Sequence, residues 1–253
     1  PPTEPPTTEQ VVQHTVEVKA TLANASGTVA ADAAESMLES INQDLPENSE
    51  ATAKFVTTMN PMLDLTLQQA TELMTQTLGS KGEVTVELGR RLGVREDSSS
   101  RRLAPRSFIV TVSTSANATA LDEVLAVDAA ALAEVQANLF PNAAPPTMEP
   151  PVVEVVVVIV QEVNAALAGN MPNLTASLPD PSVIAAALES AGVQASVDLQ
   201  DLGSTVVVRV VPPPAGNEEA ETTTEEQVEP RDGDSGSPHV AGVGIGGVLV
   251  ALA

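Results

Sequence analysis

The sequence predicts an α+β domain, a split βαββαβ antiparallel sheet with helices on one face, flanked by disordered linkers. Two observations carry that prediction. "QHTVEVKATL", "EVTVEL", "SFIVTV", "QASVDL" and "STVVVRVV" alternate apolar and polar residues, the mark of strands with one buried and one wet face. Their order also repeats. Strand, helices and strand lie on either side of one basic segment, which gives two βαβ halves with their middle strands adjacent.

The elements follow in chain order. "PPTEPPTTEQ" (residues 1–10) is a Pro/Thr run that reads as a linker, and Pro1 in place of Met implies processing upstream. The domain then spans residues 11–211. In the first strand His14, Val16, Val18, Ala20 and Leu22 share one face, and Gln13, Thr15, Glu17, Lys19 and Thr21 share the other. "TVAADAAESMLESINQDL" and "PMLDLTLQQATELMTQTLG" carry helical periodicity, the second ending at Gly79, where a left-handed C-terminal cap is expected. Val84, Val86 and Leu88 point inward from the next strand, and Phe108, Val110 and Val112 from the one after. "ALDEVLAVDAAALAEVQANL" predicts one long helix. "PSVIAAALESAG" predicts another, with Pro181 suited to its first turn and Gly192 to its cap. Ala195, Val197 and Leu199, then Val206, Val208 and Val210, are expected inward on two closing strands. Residues 152–169, "VVEVVVVIVQEVNAALAG", combine a β-branched start with a helical end; their place between strands assigns them to a helix.

Composition limits the chemistry. The net charge of -23 and a pI near 4.1 repel a phosphate backbone, and with aromatic residues at 1% there are no stacking platforms, so nucleic acid is excluded as a partner. Absence of cysteine removes disulfides, thiolate nucleophiles and zinc–thiolate sites. The only histidines are His14 and His239, and neither has the spacing of a catalytic or metal-binding set. Neither a metal nor a cofactor is therefore expected, and the chain reads as no enzyme.

The basic segment, residues 89–106, holds Arg90, Arg91, Arg95, Arg101, Arg102 and Arg106 in an otherwise acidic chain. It also carries Glu96, Asp97 and three serines, so it reads as a solvated loop joining the two central strands rather than a nucleic-acid groove. The pairs Arg90–Arg91 and Arg101–Arg102 are candidate processing sites, since exposed loops are where proteases cut. The remaining reading of this loop is a docking site for an acidic partner, including the chain's own Glu-rich tail.

Residues 212–238 form an acidic stalk rich in Pro, Glu, Thr, Gly and Ser, too polar to offset the entropy of ordering. Glu218 to Asp234 lack the glycine and ligand spacing of an ordered calcium loop. Residues 239–253 begin an apolar membrane or anchor segment, uncharged from Val240 onward but shorter than the ~20 residues of a full span. Gly242, Gly244 and Gly247 match a dinucleotide fingerprint without the strand, helix and acidic residue it requires, and are excluded. Asn24, Asn117 and Asn173 open N-x-S/T sequons and are candidate glycan acceptors, with Asn24 and Asn117 on matching turns of the two halves.

The Ala/Val-rich βαββαβ pattern, the "RRL" repeats at Arg90-Arg91-Leu92 and Arg101-Arg102-Leu103, and the flanking stalks resemble a repeat module of large secreted and surface proteins of unicellular algae. That module is similar to SEA-type extracellular domains and to the ferredoxin-like fold. The resemblance covers residues 11–211 and implies a juxtamembrane position. It also implies a low-ranked self-cleavage site at Gly203-Ser204 within "LGSTVVVRV", where fold strain would drive the Ser204 hydroxyl onto the Gly203 carbonyl. Two departures count against it: Thr205 replaces an aliphatic residue, and the bond precedes the last strand instead of lying between the middle ones. A Gly-Ser hairpin turn is the plainer reading.

The functional expectation is a non-enzymatic extracellular, juxtamembrane structural or adhesion module of a larger surface protein. Residues 1–238 would lie outside a single-pass membrane segment, and the partners would be the membrane, surface proteins or glycans. The alternatives are a self-cleaving or protease-processed ectodomain, cut at Gly203-Ser204 or in the basic loop, and a soluble acidic protein adapted to salt.

Overall fold

The structure is a computed structural model that describes residues 7–23, 25–89, 106–166 and 173–211. These belong to one compact unit, Pro1–Pro213. The first half runs β1 (Thr7–Leu22), α1 (Gly27–Asn42), β2 (Ser49–Met59), β3 (Pro61–Leu63), α2 (Leu67–Leu78) and β4 (Glu83–Leu88). The second runs β5 (Arg106–Ser115), α3 (Ala118–Leu125), α4 (Ala129–Leu139), β6 (Thr147–Met148), β7 (Val152–Asn164), α5 (Leu174–Ser177), α6 (Pro181–Ser190) and β8 (Ala195–Val211).

The result is a mixed α/β domain on one antiparallel sheet. β3 extends β2 along β5 in one register, Met59 opposite Val110 and Met62 opposite Ser107. β6 pairs with β3 as β7 pairs with β2. Across the sheet the order is therefore β4, β5, β2/β3, β7/β6, β1, β8.

Helices cover one face. Val16, Val18, Ala20 and Leu22 of β1 are buried there, as alternation requires, with Phe55 of β2 and Val153, Val155, Val157 and Ile159 of β7. Against them α1 turns Ala30, Ala33, Ala34, Met37 and Ile41, a 3–4 spacing that puts small residues under one stripe. A second cluster joins Met59, Phe108, Val110 and Val112 to Leu73, Met74 and Leu78 of α2 and Leu132 of α4. Caps set the helix starts: Ser26 accepts from Val29 N–H, and Thr66 and Gln69 form a reciprocal capping box on α2.

Several expectations are corrected. Residues 152–164 are a strand, β7, and not a helix. Its helix-side residues Val153, Val155, Val157 and Ile159 are buried, and on the far face Val156 is buried while Val158 and Val160 are half-buried, positions in mid-sheet that β-branched valine suits. On the far face Val156 is 2% exposed because Lys19 and Lys54 flank it in register and lean their stems over it toward Glu17. Ser49–Met59 is a strand not foreseen, and Pro61–Leu63 is strand where helix was expected. The long helix at 120–139 is two, because Asp128 caps a new start by accepting from Ala131 N–H at 2.8 Å. Gly79 ends α2 with φ -61 rather than left-handed, whereas Gly192 has φ +80 as expected. β1 begins at Thr7, inside the stretch read as linker. β4 and β5 form a hairpin at the edge of the sheet, so the basic segment does not join central strands. Within that hairpin Leu88 is 50% exposed rather than inward.

Candidate functional site

The described residue that departs most from a plain structural role lies in β8. "QASVDL" and "STVVVRVV" are one strand, so Gly203-Ser204 is not a hairpin turn. The register along β1 slips there: Val16 faces Asp201 and Thr15 faces Gly203, which leaves Leu202 as the extra residue of a β-bulge. Gly203 takes φ +83, a conformation glycine adopts without a Cβ penalty.

The bulge gathers polar groups. Asp201 Oδ1 accepts from the Gly203 N–H at 2.8 Å and lies 2.9 Å from His14 Nε2, while Oδ2 accepts from the Thr175 hydroxyl of α5 at 3.1 Å. These bonds, the one to His14 foremost, hold the Asp201 carboxyl below its ordinary range. His14 shares the face of Val16 and is flanked in register by Ser204 on β8 and by the buried Gln161 on β7. Gln161 Oε1 has no hydrogen-bond partner among the described residues.

The cluster marks the end of the helix-covered core. Ala195, Val197 and Leu199 pack against the core on one side of the bulge. On the other side Val206 and Val208 are 64% and 58% exposed, against the expectation that they point into the core. They share the helix-side face but lie beyond the helices. Chemically, the cluster is a clamp that ties β1, β8 and α5 through one carboxylate. His14 Nε2 is engaged by Asp201 rather than by Ser204, which leaves only Nδ1 to approach a hydroxyl. Among the described residues no group of three or more His, Asp or Glu side chains is placed to hold a metal ion.

The remaining candidates separate. Asn117 and Asn173 are both exposed helix caps: Asn117 Oδ1 accepts from Thr119 N–H at 2.9 Å and Asn173 Oδ1 from Ala176 N–H at 3.3 Å. The cap of α1 is Ser26, so the helix starts of the two halves do not align on the asparagines. Asn24, Arg90, Arg91, Arg101, Arg102, the stalk 212–238 and the apolar segment 239–253 lie outside the described residues. Among the described residues no helix is long and apolar enough to cross a membrane. Sequence reasoning missed Asp201 and Thr175. The signal was Asp-Leu-Gly interrupting the alternation of β8, the pattern of a bulge.

No protein-family model matches the chain, and no curated protein matches it.

Proposed function

We propose that this chain is a non-enzymatic extracellular module, carried near a membrane on its acidic stalk and serving as a spacer or adhesion surface of a larger surface protein. The observation that carries the reading is the pairing of Thr7 with Val211, the first and last residues of the β1–β8 ladder. It brings the start of β1 and the end of β8 side by side at one end of their ladder, which supports a linker and a stalk that meet the domain at one point. A domain entered and left at one point hangs from its tether, which suits a module held off a surface.

The strand order supports an SEA-like or ferredoxin-like reading. β8, β1, β7 and β2 follow the order of a split βαββαβ unit built from β1–α1–β2 and β7–α6–β8. The order β6/β7, β2/β3, β5, β4 supports reading a second such arrangement that overlaps the first in the β2/β3 and β7/β6 ribbons at the centre of the sheet. In this reading glycans sit on Asn117 and Asn173, both exposed, and on Asn24. Membrane association comes from residues 239–253, and surface proteins or glycans are the partners.

The test is expression of the full chain in a secretory eukaryotic cell. A glycosidase-sensitive mass and digestion of the domain by protease added outside intact cells are expected. An unchanged mass together with protection from outside protease would overturn the reading.

A second reading is favoured by Ser204 facing His14 across the ladder, next to the Gly203 carbonyl. In it the Ser204 hydroxyl oxygen adds to the Gly203 carbonyl carbon, the C–N bond breaks as the hydroxyl proton passes to the Ser204 nitrogen, and water hydrolyses the resulting ester to a Gly203 carboxylate and the free Ser204 hydroxyl and amine. Intact-mass analysis of purified protein decides it: one uncut species removes self-cleavage.

A further inference from the structure

Each strand of the sheet alternates in origin between the two halves of the chain. β1 pairs with β7 and β8, β2 with β5 and β7, β3 with β5 and β6, and β4 with β5. Every one of these ladders joins a strand of residues 7–89 to a strand of residues 106–211. No strand of either half pairs with another strand of its own half among the described residues.

The cores are shared in the same way. Val16, Met37 and Phe55 of the first half are buried with Val155, Ile184 and Leu188 of the second. Met59 and Leu73 are buried with Phe108 and Leu132. At the helix layer α1 packs on α3 and α6, and the Gly27 N–H donates to Asp122 Oδ1 at 2.7 Å. Taken alone, each half would leave the backbone N–H and C=O groups of all its strands without partners, which a folded chain does not tolerate.

We propose that the two halves are obligate binding partners, a two-chain interface whose covalent connection is dispensable once they have interleaved. Neither half is a folding unit. The partner that residues 7–89 fit is a copy of residues 106–211, recognised through alternating strands, and the connection between them contributes only effective concentration. This inference is independent of where the protein resides in the cell.

The test inserts a site-specific protease sequence between residues 90 and 105 of the full chain and cuts it after folding. Under native conditions both fragments are expected to elute together with an unchanged circular dichroism spectrum, and to separate in denaturant. The urea midpoint of the cut protein should then depend on its concentration, which that of the uncut protein does not. A tenfold rise in concentration is a tenfold change in the folded ratio, ~1.4 kcal/mol, and moves the midpoint up by roughly 0.5–1.4 M. Native elution as two separate fragments overturns the proposal. So does a cut protein whose midpoint ignores concentration, because each half would then fold by itself.

Discussion

Replacing Gly27 with alanine sets two effects of opposite sign against each other. Gly27 is the first residue of α1, and in an open helix Gly→Ala stabilises by about 0.5–1 kcal/mol. Here the space is occupied. A methyl group on Gly27 would overlap the Ala118 carbonyl oxygen and lie 2.7 Å from both the Ala118 carbonyl carbon and Asp122 Oδ2. The first two are backbone of α3, so relief means displacing one helix against the other, an overpacking cost of about 1–3 kcal/mol. The same displacement stretches the 2.7 Å bond from Gly27 N–H to the Asp122 carboxylate, a class of contact that contributes about 1.5–3 kcal/mol when intact. Clash and stretched bond together exceed the propensity gain, and Gly27→Ala should destabilise by about 1–3 kcal/mol. With a urea slope near 2 kcal/mol/M the midpoint falls by about 0.5–1.5 M. The assay is equilibrium urea denaturation followed by circular dichroism, comparing both midpoint and slope. A midpoint that rises, or does not move, would show that α1 and α3 do not approach this closely.

Three further outcomes follow from single sites. Thr57 is fully buried with its hydroxyl unpaired among the described residues, so Thr57→Val, which keeps the shape and removes the polar atom, should stabilise by about 1–2 kcal/mol in the same assay; a loss would mean that the hydroxyl is satisfied. Gly203 has φ +83 and open space where a Cβ would go, so Gly203→Ala measures backbone strain alone and should cost about 1–2 kcal/mol, while an unchanged midpoint would remove the bulge geometry. The Asp201 carboxyl is held below its ordinary value of 3.8, first by His14 and then by the Gly203 N–H. A depressed folded-state value contributes stability that is present above the ordinary value and is lost as pH falls through the depressed one. Urea midpoints should therefore decline more steeply below about pH 4 in the parent than in Asp201→Asn, and identical acid limbs would exclude this carboxylate as a contributor.

Legibility in the sequence followed the range of the interaction. β1 and β5 were readable because one face is apolar at every second position and the other is mostly polar, Ile109 of β5 being an exception. α6 was readable from Pro181 at its start and Gly192 at its end. β7 misled because strands are recognised by alternation, and its far face carries Val156, Val158 and Val160, so the residue types do not alternate although the burial largely does. β2 hid for a different reason: its inward run includes Thr57 between Phe55 and Met59, so its apolar face looks broken. The division into two halves was visible as an echo in element order. Their interleaving was not, since which strands pair is decided by contacts such as Val18 with Val157 and Leu199, far apart in the chain. The Asp201 cluster was illegible for the same reason. His14, Thr175 and Asp201 share no local motif, and the bulge that brings them together depends on the register between β1 and β8.

The two open edges of the sheet differ in how they discourage further strand pairing. β4 is only six residues long and exposes Glu83 and Glu87, features that discourage another strand from adding to it. β8 is far longer, at 17 residues, but its ladder is broken at Leu202, and Asp198, Asp201 and Arg209 punctuate it. A bulge twists an edge away from flat pairing, so the longer edge is guarded by geometry as well as by charge. The same bulge has a mechanical consequence. Since Thr7 lies opposite Val211, tension between the two ends of this domain opens the β1–β8 ladder from that pair inward, one pair at a time. The stretch it meets first carries exposed Val206 and Val208, with little helix cover to hold it. Arg209, which reaches across β1 to Glu162 of β7, is the first side-chain tie along it, and the clamp of His14, Asp201 and Thr175 is the next, placed where the strand ends give way to the packed core. On this argument the polar cluster acts as a latch for the exit strand, which accounts for its position without assigning it any chemistry.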